Sequence, residues 1–187
     1  MKHSEVHKKI VETASQLFYK NGYNSTGVNE IIATAEIAKA TLYNHFKAKE
    51  DICVAYIEHK NSVFLVELEK YCKSKPQGRE QVSAIFDFLL EFYNTDEFNG
   101  CWCIKTMAEI PIHDEKIRNE IQRQKNLFIQ FIIELVKDNL DYDSEKEVKS
   151  RARYIYLAYE SAVSESHLHQ SDWPITESRN MCLAIIK

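Results

Sequence analysis

The stretch "AKATLYNHFKAKED", Ala38 to Asp51, gathers the side chains of this chain best suited to contact a polar polymer. Thr41 and Asn44 can hydrogen-bond to base edges or phosphates. Ala40, nearly without a side chain, permits close approach, and Tyr43 and His45 can reach a sugar-phosphate backbone. Lys39 and Lys49 add a cation at either end. If the segment is helical, with about 100° between residues, Leu42 and Phe46 fall on one side. Ala40 and Asn44 then point the opposite way, flanked by Thr41 and Tyr43. Such a helix has an apolar edge to fasten it and a polar edge to fit a groove.

Other chemistries find less support. Cys101 and Cys103 invite a thiol-sensor or metal reading, but residues two apart on a helix point about 200° apart, and structural zinc sites favour two intervening residues. His167 and His169 fail to share a helix face for the same reason. The chain has no Gly-rich phosphate loop, nucleophile motif or carboxylate pair in apolar surroundings. Neither an enzyme, a metal nor a cofactor is expected. Five cysteines without a secretory leader are expected to be free thiols in a soluble, cytoplasmic protein.

The elements that would hold the polar edge are helices. Only four Gly and three Pro in 187 residues leave few tight turns, so an all-α fold is expected. Val6, Ile10, Ala14, Leu17 and Phe18 mark one face of a first helix, from about Ser4 to Lys20, which "KNGYNSTG" stops. A second helix of about two turns lies in "GVNEIIATA" and a third in "AKATLYNHF". A fourth runs from near Lys49 to about Cys72 and continues from the first part of the chain into the second. Further helices are expected near 79–94, 101–109, 114–139, 145–168 and 174–186. The net charge of −4 is unevenly spread. The first 50 residues hold seven lysines against five glutamates, so the acidic excess lies in the remainder.

Two short helices joined by a tight turn at "AEIA" form the pattern of a helix-turn-helix, whose later helix enters the DNA major groove. The run "ETASQLFYKNGYNSTGVNEIIATAEIAKATLYNHFKAKEDI" resembles the amino-terminal DNA-binding domain of the TetR family of bacterial transcriptional regulators. Ala14, Leu17, Phe18, Gly22 and Tyr23 carry the resemblance, followed by Thr26, Val28, Ile31, Ala33 and Ala35, then the "TLYNHF" core with Lys49 and Glu50. The resemblance implies a homodimer on a palindromic operator, with Thr26, Lys39, Ala40, Thr41, Tyr43, Asn44, His45 and Lys49 at or near the DNA. By chemical type, Thr41 and Asn44 would read bases, with Lys39 shared. Thr26, Tyr43, His45 and Lys49 would hold the backbone. Three positions depart from the family pattern: Glu36 stands where a glycine is usual, and Ala38 and Ala48 where a capping residue often stands.

On this reading residues 1–48 form the helix-turn-helix domain, and residues 49–187 a helical effector-binding and dimerisation domain. The segment "GCWCIKTMAEIPIHDEKIRNEIQRQKNLF" resembles a recurrent form of that body. Phe88, Phe92, Trp102, Cys103, Met107 and Phe128 are the residues expected to line a pocket for a small-molecule effector. The last two helices are expected to dimerise through a stripe of Ile155, Ala158, Tyr159, Ala162 and Val163, the alternative being a face of the core within one chain. The function expected is a repressor released by its effector. Left open are a ligand-independent or thiol-responsive DNA-binding protein acting through protein partners, and a helical partner-binding module.

Overall fold

The computed structural model describes residues 3–186, and among these every regular element is a helix. In chain order they are α1 (His3–Asn21), α2 (Val28–Thr34), α3 (Lys39–His45), α4 (Lys49–Lys73), α5 (Arg79–Tyr93), α6 (Trp102–Glu109), α7 (Glu115–Asn139), α8 (Glu145–His169) and α9 (Trp173–Ile185). The nine helices agree with the periodicity expected from the sequence. None of them is long and apolar enough to cross a membrane. The chain divides into two compact units: one comprises the residues up to Val63 together with Trp102–Gln124, the other Phe64–Cys101 together with Lys125 onward. Helices α4 and α7 contribute residues to both.

In the first unit, Ile10, Ala14 and Phe18 of α1, Ile31 and Ala35 by α2, Leu42 and Phe46 by α3, and Ile52, Tyr56 and Ile57 of α4 are buried. Helices α2 and α3 have seven residues each, too few to persist alone, so these apolar anchors hold them in place. Gly22 ends α1 at φ 96°, a conformation that disfavours a side chain. A polar layer joins α4 to α7: buried Asn61 donates to Gln124 at 2.7 Å, and Arg123 pairs with Glu58 at 2.6 Å.

The turn between α2 and α3 keeps left-handed geometry although it has no glycine. Glu36 has φ 51°. Its N–H donates to the Ala33 carbonyl at 3.1 Å, and that of Ile37 to Ile32 at 3.2 Å, the paired bonds of a Schellman motif. The turn therefore keeps its shape at a conformational cost. Glu36→Gly is expected to stabilise the protein by about 1 kcal/mol, raising the thermal midpoint by about 2–4 °C. The ion pair it loses, to Lys9 at 3.9 Å, is exposed and contributes little.

Caps at the next two helix starts differ. Ala38 precedes α3 with no side-chain cap. Ala48 precedes α4, where Asp51 accepts the Ala48 N–H at 2.9 Å and so supplies half of a capping box. Asp51 also pairs with Lys116. The Lys116 bond is the main influence holding its carboxyl below the usual range, and burial opposes it. Because the folded-state value is the lower one, the stabilisation is present in full above the unfolded value of about 3.9 and is lost as pH falls through the folded value. Thermal midpoints of Asp51→Asn and wild type should therefore converge as pH is lowered through that window.

In the second unit, α5, α7, α8 and α9 close around Leu68, Val82, Ile85, Phe86, Leu89, Phe128, Ile132, Val136, Ile155 and Ile175. Ser144 caps α8, accepting from the Glu147 N–H at 3.2 Å. Pro174 opens α9, where its missing donor costs nothing. Arg179 of α9 pairs with Asp87 of α5 at 2.7 Å. The stripe of Ile155, Ala158, Tyr159, Ala162 and Val163 is buried here and belongs to the core of this unit. The face of α8 and α9 left outside carries Tyr154, Leu157, Leu168, Trp173 and Met181, all exposed.

Candidate nucleic-acid interface

Helix α3 shows the two edges its sequence implies. Leu42, 1% exposed, and Phe46 face the interior, whereas Lys39, Ala40, Tyr43 and Asn44 are exposed along the other side. Thr41 and His45 are half-buried at the margin. The His7 ring stacks on Phe46 at 4.8 Å and meets His45 edge-on at 6.0 Å, which fastens the end of α3 to α1. Over about one and a half α-helical turns, the exposed group offers a cation, a methyl, a phenol and an amide, a set able to read a groove and hold a phosphate.

Two candidate residues are engaged elsewhere. Thr26 is fully buried, and its hydroxyl donates to the Gly22 carbonyl at 2.9 Å, with the Leu17 carbonyl 3.3 Å away. Its side chain ties the α1–α2 turn to α1. Lys49 is half-buried, with Nζ 4.3 Å from the Tyr23 ring centroid and 6.0 Å from that of Phe18. Burial lowers its pKa, against the opposing influence of Cys53, Glu50 and Glu109. Lys47, exposed in the turn between α3 and α4, was not among the candidates. The signal for it was available: it is a lysine immediately after the apolar anchor Phe46.

The α1–α2 turn is held from α6. Glu109, the last residue of α6, accepts the Asn24 N–H at 2.6 Å, and its carbonyl accepts from Asn24 Nδ2 at 2.8 Å. A methyl group on Gly22 would lie 2.6 Å from the Glu109 carboxylate, so the glycine serves close approach as well as its positive φ. One helical turn earlier, Lys105 donates to the Tyr19 carbonyl at 3.0 Å. Glu109 and Lys105 thus tie α6 to the end of α1 and to the turn that leads into α2.

The six residues expected to line an effector pocket are split between the units. Phe88, Phe92 and Phe128 belong to the second. There Phe64 contacts Phe88 at 6.1 Å and Phe128 at 5.2 Å, and Phe128 meets Tyr159 at 5.0 Å, whereas Phe92 packs on Phe98 at 5.5 Å. Trp102, Cys103 and Met107 belong to the first. Trp102 meets Tyr19 edge-on at 6.5 Å with Lys60 Nζ 5.5 Å from its ring, Cys103 is buried, and Met107 is half-buried.

Sequence reasoning missed a charged group in the second unit. Lys125 reaches both carboxylate oxygens of Glu160 at 2.6 Å and the Cys101 thiol at 3.3 Å. Burial raises the Glu160 pKa, with Cys101 acting in the same direction and Lys125 against it. The available signal was a lysine four residues after Ile121 and three before Phe128, on the apolar side of α7. Among the described residues no His, Cys, Asp and Glu cluster could hold a metal ion.

Comparison with known proteins joins this geometry to a family. Residues 10–56 match the model of bacterial regulatory proteins, tetR family. The chain is 31% identical over 108 residues to the HTH-type transcriptional regulator QacR of Staphylococcus aureus, covering 49% of this chain and 57% of that protein. It is 26% identical over 126 residues to the HTH-type transcriptional repressor NemR of Escherichia coli, covering 65% of this chain and 63% of NemR. The chain thus spans less than two thirds of the length of these two relatives. A TetR-family regulator from Streptomyces coelicolor superposes with a TM-score of 0.84 at 22% identity, covering 97% of this chain and 94% of that one, a likeness of fold. With the match spanning the helix-turn-helix and the helices that support it, residues 10–56 form a domain of the tetR family of bacterial regulatory proteins.

Proposed function

We propose that the protein is a DNA-binding transcriptional regulator, a homodimeric repressor of a palindromic operator that a small-molecule effector releases. The observation that carries this is the exposed edge of α3, with Lys39, Ala40, Tyr43 and Asn44 outward and Leu42 and Phe46 anchoring the helix behind it. Residues 1–48 are the DNA-binding part, and residues 49–187 take the effector and the second copy. Two copies related by a two-fold axis present two such helices to successive major grooves, about one helical turn apart. The exposed apolar face of α8 and α9 supports that pairing.

Release follows from differential binding. An effector that prefers the state with misplaced recognition helices draws the dimer off its operator. Of the six pocket candidates, Phe88 and Phe128 share Phe64, and the Lys125–Glu160 pair is a polar anchor in the same unit. Glu109 supports α6 as one route to the helix-turn-helix, because it binds the α1–α2 turn directly. The test is selection of bound sequences from random duplex DNA. A two-fold repeated site, bound with strong salt dependence, is expected; a chain that enriches no site and binds without salt dependence is not this kind of regulator. Asn44→Ala should keep the wild-type thermal midpoint and lose about 1–3 kcal/mol of discrimination at one base pair of each half-site.

A thiol-responsive regulator is the second reading, favoured by the half-buried Cys101 thiol beside the Lys125 ammonium. It requires that hydrogen peroxide weaken operator binding by wild type but not by Cys101→Ser, and equal sensitivity of the two proteins removes it.

A further inference from the structure

Within the first unit, α1 and α4 leave a groove of about 310 Å³ between them. Val11, which is buried, and Ala55 supply its apolar lining. His7 and Lys8 come to it from α1, and His59 and Ser62 from α4. Two imidazoles, an ammonium and a hydroxyl thus line one space, and all four can donate a hydrogen bond. Glu58 is the carboxylate among the lining residues, and it does not cancel them, because it accepts from Arg123 of α7 at 2.6 Å. Lys8 meets Glu12 at 3.6 Å in the open, a pair that contributes little and is readily exchanged. Among the described residues no His, Cys, Asp and Glu group could hold a metal ion, so the two histidines do not share one.

We propose that this groove binds a small organic phosphate, with Lys8, His7 and His59 donating to its phosphoryl oxygens and its apolar body laid on Val11 and Ala55. Charge and size both favour that class. A phosphate monoester carries nearly two negative charges at neutral pH and three strong acceptor oxygens, which suits several donors lining one space. Hydrogen bonds to a charged group are the stronger kind, whereas a neutral apolar molecule would leave the donors unused and a cation would meet Lys8. One water takes up about 30 Å³ of liquid, so the groove has room for about ten of them, more than a bare phosphate ion fills. None of the lining residues belongs to the six effector-pocket candidates, so this is a separate site. His7 also stacks on Phe46 at the end of α3, so the groove and the helix-turn-helix share a side chain.

Phenyl phosphate is the probe, titrated at constant pH into the full-length protein without DNA while the imidazole proton resonances are followed by NMR. His7→Asn and His59→Asn identify the two groove histidines in the spectrum. Phenyl phosphate should shift both resonances saturably, phenol should leave them unmoved, and inorganic phosphate, lacking an apolar body, should bind about tenfold more weakly. Lys8→Gln and His59→Asn should each raise the Kd for phenyl phosphate about tenfold, with the helical circular dichroism of wild type retained. Resonances that do not saturate or that move equally with phenol, inorganic phosphate bound as tightly as the ester, or wild-type affinity in either variant overturns the proposal. The nucleic-acid backbone is the other source of phosphate. If a mixed-sequence duplex shifts the same two resonances and His59→Asn weakens it as much as it weakens phenyl phosphate, the groove takes that backbone and the small-molecule class is overturned. Because the titration contains no DNA, its failure leaves the DNA-binding reading standing, and failure of that reading leaves this site standing.

Discussion

On the proposed reading of a homodimer at a palindromic operator, Leu157→Glu will leave the protein monomeric and lower its operator affinity by a factor on the order of 10² to 10⁴. The side chain is 62% exposed on α8, one turn from Tyr154 and on the same side as Leu168, with Trp173 and Met181 exposed on α9. Exposed apolar groups of this size, gathered on two neighbouring helices, are costly in water and suited to a second copy. At a two-fold interface the substituted residue is carried by both copies, so each glutamate enters an apolar surface and also acts against its symmetry mate. Operator affinity then falls because the second half-site is no longer held at high effective concentration. Sedimentation velocity and operator titration measure the two effects, and far-ultraviolet circular dichroism checks that the helices persist. A variant that stays dimeric with wild-type affinity would assign the dimer to another surface.

Leu42→Ala will cost about 2–5 kcal/mol and lower the thermal midpoint by about 5–15 °C. Leu42 is 1% exposed and is the buried residue within α3, a helix of seven residues whose first position has no side-chain cap. With so few backbone bonds of its own, α3 depends on this anchor and on Phe46. DNA affinity should therefore fall for every sequence alike, because the whole polar edge loses its support. That separates the anchor from Asn44→Ala, which should alter preference among sequences and leave stability alone. A Leu42→Ala midpoint within about 2 °C of wild type would mean that α3 is held by something other than this side chain.

Helices and turns were legible because their signals are local. The spacing of Val6, Ile10, Ala14 and Phe18 marks α1 without reference to anything else in the chain, and the few glycines and prolines mark where helices stop. Glu36 shows how far local reasoning reaches. Its cost in a left-handed turn could be stated from the sequence, and the turn does adopt that geometry at φ 51°. At Ala48 local reasoning stopped short, because Asp51 three residues later supplies part of the missing cap.

The outward edge of α3 was also readable, since two apolar residues four apart determine which side of a short helix faces in. Which side chains remain available on that edge was not. Thr26 and Lys49 have the right chemistry for phosphate, but the partners that engage them lie at other positions in the chain: the Gly22 carbonyl for one, Tyr23 for the other. The stripe on α8 shows the same limit. Ile155, Ala158 and Ala162 have the spacing of an interface, and the spacing is identical whether the facing helix belongs to the same chain or to a second copy.

By itself, then, the sequence determined the nine helices found among the described residues, a helix-turn-helix and the edge of α3 that faces outward, because periodicity and turn chemistry act over a few residues. Tertiary structure alone decided that Glu109 grips the α1–α2 turn, that Lys125 and Glu160 pair beside Cys101, and that Lys49 rests on Tyr23. Those partners are separated along the chain, and hydrogen bonding, charge and ring contact act only where folding has brought the groups within a few ångströms.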